Sequence, residues 1–353
     1  MEPIRRAVID VGTNSVKLLV ADVAGHDVRP VREESRQTRL GHGFYETRRL
    51  RPETIAATAK AVAGFAATAR QCLALSIRIF ATSAAREAVN AVELTAAIER
   101  ASGLKVQVIT GDQEADWGFQ GVTTDPELAR APLLLLDVGG GSTQFILGQG
   151  DHTSFRHSFP LGTLRLMEKF PHADPPKPAE LADCRRWLRE FLLQEVRPKL
   201  RGPTRLHQNP SPEGRASSRA QTSPEIRARG DARSADHVGG VQLVGVGGTA
   251  SILGCMEARL ETFDRARLEA TRLSAARVSW HLEHLWSLTL DERKQIVGLP
   301  KNRADVILMG VAIYQAVMEE FAFRELRIST RGLRFTAVMD SAGYHNHEIP
   351  EIH

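Results

Sequence analysis

The sequence has no long apolar run and few cysteines. No stretch approaches the roughly 18–20 apolar residues that a membrane-spanning helix needs, and residues 1–6 (MEPIRR) do not form the pattern of a signal peptide. Cys72, Cys184 and Cys255 are far apart and lack the spacing of metal ligands, so we expect reduced thiols in the core. These absences predict a cytoplasmic protein without a membrane partner.

The composition is that of an ordinary globular protein, with 353 residues, 42% hydrophobic and 25% charged. This length allows two domains with separate cores. The net charge of +4 is uneven, because residues 197–236 hold nine Lys or Arg against four Asp or Glu. Residues 202–240 are rich in Pro, Ser, Gly and Arg without any period, which predicts a flexible basic insertion. Such a segment either attracts polyanions or is simply solvated; no nucleic-acid partner is expected.

Residues 133–148 (LLLLDVGGGSTQFILG) combine an apolar run, a carboxylate, a glycine turn and a second apolar run. The runs predict two strands of a hairpin, with Asp137 at the end of the first. The turn between them contains the possible phosphate ligands Gly139, Gly140, Gly141, Ser142 and Thr143. Its backbone N–H groups suit an anion, and the carboxylate suits a cation. A glycine-rich hairpin without a ligand explains this stretch equally well.

A second stretch near the N-terminus repeats this arrangement about 127 positions earlier. Residues 7–22 (AVIDVGTNSVKLLVAD) again place an aspartate, Asp10, before a turn of Gly and hydroxyl residues. The candidate phosphate ligands of this turn are Gly12, Thr13, Asn14 and Ser15. Two such copies predict two related domains that face a shared cleft. Facing turns with carboxylates suit a chain of phosphates and a divalent ion.

The remaining chain alternates predicted strands and helices, which indicates an α/β fold. Arg86 lies in the first turns of a helix that Thr82 or Ser83 would cap; it either faces an anion or is a surface arginine. Residues 110–118 form a turn that leads into another helix. Residues 241–251 predict a strand, a glycine turn with Gly248 and Thr249, and a helix start, a third possible phosphate contact.

Together these motifs resemble the exopolyphosphatase / guanosine pentaphosphate phosphatase family of the actin-like ATPase superfamily. The resemblance depends on six segments: IDVGTNS (9–15), ATSAAR (81–86), TGDQEA (110–115), LDVGGGST (136–143), GGT (247–249) and RGLR (331–334). It implies an α/β fold of two actin-like (ribonuclease H-like) domains with a cleft between them. We expect domain I over residues 1–126, domain II over 127–340 with the insertion, and a polar tail over 341–353.

The resemblance also implies roles for individual residues. Glu114 would be the general base for an attacking water, although a glutamate at a helix start is also favoured by the helix dipole alone. Asp10 and Asp137, with Gln144, would hold Mg²⁺. Arg86 would neutralise charge on the substrate or in the transition state. The glycine turns, with Gly248 and Thr249, would bind the phosphates.

Three positions depart from the family pattern. Gln144 stands where relatives commonly have a metal-binding glutamate, and an amide brings no negative charge, so metal affinity should fall. Gln113 replaces a frequent acidic residue. Phe335 and Thr336 stand where relatives usually have a glycine one residue after Glu or Tyr.

Three functions are compatible with the sequence. The first is a Mg²⁺-dependent exopolyphosphatase that releases the terminal phosphate of inorganic polyphosphate, with hydrolysis of guanosine pentaphosphate as a close variant. The second is a phosphotransferase of the same superfamily, and the third is a catalytically weak protein that binds polyphosphate or an alarmone. The resemblance also suggests a homodimer.

Overall fold

The computed structural model describes residues 2–204 and 240–340. Residues 205–239 of the predicted insertion and the predicted tail, residues 341–353, lie outside the described residues. The strands are β1 Ile4–Val11, β2 Ser15–Ala24, β3 Asp27–Gln37, β4 Ser76–Ala81, β5 Val106–Val108, β6 Leu133–Val138, β7 Thr143–Gln149, β8 His152–Phe159, β9 Gln242–Val246, β10 Arg272–Ser274 and β11 Glu325–Ile328.

The α-helices connect these strands and cover the sheets. They are α1 Phe44–Thr47, α2 Pro52–Gln71, α3 Ser83–Glu87, α4 Ala91–Ser102, α5 Gly111–Val122, α6 Pro126–Arg130, α7 Thr163–Lys169, α8 Pro178–Phe191, α9 Arg197–Thr204, α10 Gly247–Glu257, α11 Arg265–Ala270, α12 Ala275–Ser287, α13 Leu290–Arg293, α14 Ile307–Glu320 and α15 Leu333–Met339. A π-helical turn, Leu192–Val196, joins α8 to α9, and a 3₁₀ turn, Lys301–Arg303, precedes α14.

The strands form two sheets of the same design. The first has the order β3-β2-β1-β4-β5, and the second has β10-β11-β9-β6-β7-β8. Each sheet begins with three consecutive antiparallel strands, which are β1-β2-β3 in the first sheet and β6-β7-β8 in the second. Two later strands then add in parallel next to the first of these three. They are β4 and β5 beside β1, and β9 and β11 beside β6. The edge strand β10 is an addition to the second sheet. The predictions of an α/β fold and of a duplicated hairpin unit are therefore confirmed.

The central strands are buried because they are nearly continuous in apolar residues. Four leucines open β6 and are all at most 1% exposed, as expected for a strand covered on both faces. One hydrophobic cluster lies between the first sheet and helices α2 and α4. A larger cluster packs α8, α12 and α14 against the second sheet. None of the helices in the described part of the chain is long and apolar enough to cross a membrane.

Helices α5 and α15 connect the two sheets. From α5, Ala115 and Phe119 pack in one cluster with Leu135 and Ile146 of the second sheet. From α15, Phe335 and Val338 pack with strands β1 and β2 of the first sheet. Helix α5, from the N-terminal half of the chain, therefore contacts the second sheet, and α15, from the C-terminal half, contacts the first sheet. The first turn of α5 lies between the two sheets. The domain boundary at residues 126 and 127 stays a prediction.

Several local predictions are wrong in detail. Thr82 stands at the N-terminus of α3, but its side chain makes no capping hydrogen bond, and α3 has only five residues. The RGLR segment leads into a helix, because α15 begins at Leu333. Its Phe335 is buried and the Thr336 hydroxyl donates to the Trp117 carbonyl at 2.6 Å, so the residues that replace the family glycine pack α15 in place. Of the three free cysteines only Cys184 is fully buried.

Candidate active site

The two hairpin turns lie against each other between the sheets. Both close in the same way: the Gly12 N–H donates to the Ser15 carbonyl at 3.0 Å, and the Gly139 N–H donates to the Ser142 carbonyl at 2.9 Å. A Cβ on Gly140 would stand 3.1 Å from the Thr13 Cβ, closer than such atoms normally approach. The absence of a side chain at Gly140 therefore favours this close approach of the two turns.

A cavity of about 90 Å³, here the inner cavity, opens between these turns. Most residues predicted for the site line it: Asp10, Gly12, Thr13, Asn14, Ser15, Glu114, Asp137, Gly139, Gly140, Gly141, Ser142, Gln144, Gly248 and Thr249. Two predicted residues do not. The fully buried Thr143 donates its hydroxyl to the Leu161 carbonyl, so its side chain supports the fold. Arg86 lies behind Glu114, away from the inner cavity.

The turns offer hydrogen-bond donors to this cavity. Within the described residues, the backbone N–H groups of Thr13, Asn14, Gly140 and Gly141 donate no backbone hydrogen bond. Such free amides in a tight turn form a concave site for an anion. Helix α10 begins at Gly247 beside the same cavity, and its first turn adds positive partial charge. Phosphate groups match this set of donors.

Three carboxyl groups converge on the inner cavity. Burial raises the pKa of Asp10 and raises that of Asp137 to about 6. Burial also raises the pKa of Glu114 to about 7, and the nearby charges of Asp137 and Asp10 add to this effect. Each ionised carboxylate is therefore costly here, and the charges of Lys17, Arg334 and Arg86 offset only part of this cost. These buried carboxyl groups favour the binding of a cation in the inner cavity.

The donor set fits Mg²⁺. Among the described residues, Asp10 Oδ1 is buried without a hydrogen-bond partner, and Asp137 lines the cavity beside it. Gln144 Nε2 donates to the hydroxyls of Ser142 and Ser158 at 2.9 and 3.0 Å, which leaves the amide oxygen as its possible ligand. In the described residues, no three His, Cys, Asp or Glu side chains lie close enough together to hold a metal ion by themselves. Mg²⁺ commonly uses one or two carboxylates together with phosphate oxygens and water.

Sequence reasoning missed three basic residues of the site. Lys17 lines the inner cavity and is paired across the hairpin with Asp10; burial lowers its pKa, and Asp10 raises it. Arg303 donates to the Ser15 hydroxyl at 2.6 Å, and burial lowers its pKa to about 10. Arg334 donates to the Leu18 carbonyl at 2.9 Å. The hairpin repeat contained a signal for Lys17, because Gln144 occupies the same position opposite Asp137 in the second copy.

Arg86 holds Glu114 in place. Its Nη1 donates to Glu114 Oε2 at 3.1 Å and to the Ile109 carbonyl at 3.0 Å, and the Glu114 side chain is only 11% exposed. This pairing lowers the Glu114 pKa, while burial raises it more strongly. The result is a carboxyl group that changes protonation near neutral pH, which is the property of an efficient general base.

A second, wider cavity of about 400 Å³ continues from the inner one and is called the outer cavity. Lys17, Arg303 and Asp137 line both cavities. The outer cavity adds Arg334 and the acidic residue Glu33, which pairs with Arg334 and Arg265. The apolar part of its wall consists of Ile252, Phe263, Pro300, Leu333 and Phe335, and polar residues that include Glu34, Ser35, Ser251, Asn302 and Thr330 complete the lining.

Comparison with known proteins gives one consistent result. The model of the Ppx/GppA phosphatase family matches residues 19–206 and 227–345. Exopolyphosphatase 2 of Mycobacterium tuberculosis is 33% identical over 332 residues, which cover 92% of this chain and 91% of that protein. The crystal structure of the Aquifex aeolicus member of the Ppx/GppA family is 25% identical, with a TM-score of 0.71 over 96% of this chain and 97% of that one. An exopolyphosphatase from Cytophaga hutchinsonii is 22% identical, with a TM-score of 0.75 over 94% and 96% of the chains.

Proposed function

The chain belongs to the Ppx/GppA phosphatase family, and we propose that it is a Mg²⁺-dependent exopolyphosphatase with Glu114 as its general base. The observation that supports this most is the position of Glu114. A carboxyl group with a pKa of about 7 lines the same cavity as two facing phosphate-binding turns and two further carboxylates. The protein would release orthophosphate from the end of inorganic polyphosphate by attack of water.

The chemical step needs a base, an electrophile and charge neutralisation. Ionised Glu114 orients a water molecule and accepts its proton, and the water oxygen forms a bond to the terminal phosphorus. The bridging P–O bond breaks, and its electron pair remains on the bridging oxygen of the shortened chain. The amides of the two turns stabilise the charge on the non-bridging oxygens, with Lys17 and Arg303 nearby. Most of the catalysis is positioning and electrostatics.

Asp10, Asp137 and the Gln144 oxygen are the residues that would hold Mg²⁺. A bound magnesium ion supplies Lewis-acid neutralisation of phosphate oxygens. The glutamine in place of a carboxylate lowers the charge of the ligand set, so we expect weaker Mg²⁺ binding than a glutamate at position 144 would give. Replacement by glutamate should strengthen it. The cytoplasmic location and the homodimer expected from the sequence stay predictions.

The name of the relative from M. tuberculosis and the row of three basic residues along the two cavities both support polyphosphate as the substrate. Lys17, Arg303 and Arg334 extend from the inner cavity outward, in the direction that the rest of a polyanion would follow. Each further phosphate of a polyphosphate chain would meet one of these cations. The measurement is phosphate release from polyphosphate of defined length, and no release by folded protein would reject the proposal.

Hydrolysis of guanosine pentaphosphate is the second candidate, because the outer cavity also has apolar walls. The Phe263 side chain is 54% exposed and, with the Arg265 guanidinium 5.6 Å from its ring centroid, could stack on a base. Phe263→Ala should then lower kcat/KM for guanosine pentaphosphate about tenfold, because base stacking contributes about 1–3 kcal/mol. It should leave kcat/KM for polyphosphate unchanged.

Phe263→Tyr is the matched control, since it keeps the ring and should keep both activities. Equal kcat/KM for guanosine pentaphosphate in the Phe263→Ala variant and the wild type would contradict a base-binding role for this wall. Kinetics with both substrates on the same preparations give the comparison.

The pH dependence of activity should report the ionisation of Glu114. Because the base acts as the carboxylate, kcat/KM is high above its pKa and is lost as the pH falls through that value. Arg86 lowers the pKa, so Arg86→Ala should move the acid limb of the profile to higher pH by about one unit, the equivalent of about 1.4 kcal/mol. The measurement is kcat/KM against pH at saturating Mg²⁺.

Arg156→Ala is the control for this shift, because Arg156 forms a comparable but exposed pair with Asp116 at 2.9 Å. Its acid limb should coincide with that of the wild type. An Arg86→Ala profile at the wild-type position, or one moved to lower pH, would show that Arg86 does not stabilise the ionised base.

A further inference from the structure

Helix α7 holds the second hairpin turn by its carbonyl groups. The carbonyls of Gly139 and Gly140 accept hydrogen bonds of 3.0 and 2.9 Å from backbone N–H groups in the first turn of α7. The third carbonyl, that of Gly141, accepts a hydrogen bond from the side chain of Arg165, whose Nε lies at 2.9 Å. All three glycine carbonyls of the turn therefore face α7.

The direction of these carbonyls decides where the N–H groups of the turn point. In a planar trans peptide, the carbonyl and the N–H group of one unit point in opposite directions, and each glycine carbonyl shares its unit with the N–H group of the next residue. The three N–H groups concerned belong to Gly140, Gly141 and Ser142. They point away from α7, and the residues that carry them line the inner cavity. Within the described residues none of the three donates to a backbone carbonyl.

Arg165 also connects this turn to the first half of the chain. Its Nη2 donates to both carboxylate oxygens of Glu87, at 3.1 and 2.8 Å, and its guanidinium carbon lies 4.0 Å from the Tyr45 ring centroid. The Ser83 hydroxyl, which lines the inner cavity, donates to the same carboxylate at 2.8 Å. The Arg165 side chain is only 17% exposed. One arginine thus fixes the Gly141 carbonyl relative to helices α1 and α3.

A second side chain of α7 extends this connection to the first turn. The Glu168 carboxylate accepts hydrogen bonds from the N–H groups of Gly43 at 2.6 Å and Tyr45 at 3.4 Å. Two residues before Gly43, the Gly41 N–H donates to the Thr13 carbonyl at 2.8 Å. The same helix therefore holds the second turn directly and the first turn through this segment.

We infer that Arg165 is a positioning residue: it directs the Ser142 N–H toward the terminal phosphate through the Gly141 carbonyl, and it keeps the two turns in register through Glu87. This inference rests on the proposed function and adds a residue that does not touch the substrate. Arginine suits the role because its planar guanidinium donates in several fixed directions at once, whereas a lysine ammonium is a compact point charge on a flexible stem.

The first test removes the guanidinium. Arg165→Met keeps an unbranched side chain beside the Tyr45 ring. With full-length protein, polyphosphate and saturating Mg²⁺, kcat for phosphate release should fall about 10²-fold, the usual loss when one donor to transition-state charge is removed. KM should change little, because the cations of the outer cavity still bind the chain and the lost interaction is strongest in the transition state.

Arg165→Lys is the conservative variant. Its ammonium can remain beside Glu87 but cannot also donate to the Gly141 carbonyl in the geometry of the guanidinium, so kcat should recover only about tenfold of the loss. Because this variant keeps the positive charge next to Glu87, it decides the question if Arg165→Met does not fold. In that case its kcat should lie about tenfold below that of the wild type, with KM unchanged.

Arg48→Met is the matched control. Arg48 pairs with the same Glu87 carboxylate at 3.1 Å, but its side chain is 54% exposed, and within the described residues it forms no hydrogen bond with either turn. Its kcat should equal that of the wild type. The acid limb of kcat/KM against pH should be the same in Arg165→Met and the wild type, because Arg165 pairs with Glu87 and not with Glu114.

The outcomes separate the positioning role from the function. Phosphate release by the wild type, combined with wild-type kcat in folded Arg165→Met, a loss that appears mainly in KM, a displaced acid limb or an equal loss in Arg48→Met, would overturn the positioning role and leave the exopolyphosphatase intact. No phosphate release by folded wild type would reject the proposed function, and the positioning role with it.

Discussion

Glu114→Gln should lower kcat for phosphate release from polyphosphate by about 10²–10⁴-fold, the usual contribution of a general base. The amide has nearly the same shape as the carboxylate but cannot accept the proton of the attacking water. KM should change little, because Glu114 lies at the attack side and the cations of the outer cavity, Lys17, Arg303 and Arg334, bind the chain. The measurement is steady-state orthophosphate release at saturating Mg²⁺.

Glu190→Gln provides the matched control, since this glutamate is exposed near the end of α8, far along the chain from every residue of the inner cavity. Its kcat should equal that of the wild type. Retention of most activity by Glu114→Gln would mean that another group activates the water, and a large rise in KM with unchanged kcat would mean that Glu114 binds substrate instead.

Asp137→Asn should remove most of the Mg²⁺-dependent activity. The Asp137 carboxylate lines both the inner and the outer cavity. Its replacement by an amide removes a negative charge that would hold Mg²⁺. Metal-ion neutralisation of a phosphoryl group is worth several kcal/mol, so we expect a loss of about 10³-fold in kcat/KM. Higher Mg²⁺ concentrations should recover part of this loss. The measurement is a Mg²⁺ titration of kcat/KM.

The same substitution should stabilise the metal-free protein. Burial raises the Asp137 pKa from 3.8 to about 6, so the folded state binds a proton more tightly than the unfolded state. The contribution of this group is therefore most favourable below pH 4 and is lost as the pH rises through 6. At pH 8 the amide should raise the free energy of unfolding by about 1–2 kcal/mol, less than the full effect of the pKa because Lys17 loses a partner.

Chemical denaturation with and without Mg²⁺ measures both effects: the free energy of unfolding of the metal-free protein and the increase in it that Mg²⁺ binding causes. Mg²⁺ should stabilise the wild type and the exposed control Asp151→Asn equally, and should stabilise Asp137→Asn much less. Equal stabilisation of all three proteins by Mg²⁺, together with unchanged kinetics, would show that Asp137 is not a metal ligand.

The hairpins could be predicted from the sequence because their determinants are local. An apolar run, an aspartate and a glycine turn within 16 residues specify both the strands and the turn, and the repeat predicted that two such turns face each other. The structure brings these turns into contact at Gly140 and Thr13. Only the antiparallel parts of the strand order, β1-β2-β3 and β6-β7-β8, follow this local logic, because the parallel strands join from distant parts of the chain.

The basic residues could not be predicted in the same way. Arg303 and Arg334 are 288 or more positions from the first hairpin turn, so only the packing of the chain before α14 and at the start of α15 brings them to Ser15 and Leu18. Lys17 lies within the largely apolar strand β2, and its correspondence with Gln144 becomes clear only when the strand pairing of both hairpins is known. The role of Arg86 toward the substrate stays a prediction, and its ion pair with Glu114 depends on the packing of α5, which the sequence did not reveal.

The most direct test of the account is phosphate release from polyphosphate with Mg²⁺ in ¹⁸O-labelled water. If water attacks the terminal phosphorus with Glu114 as base, each released orthophosphate should contain a single solvent oxygen, and release should collapse in Glu114→Gln. Phosphate without the label, transfer of phosphate to a nucleoside diphosphate in place of release, or no turnover by folded protein that binds polyphosphate would contradict the assignment of this cleft as a hydrolase.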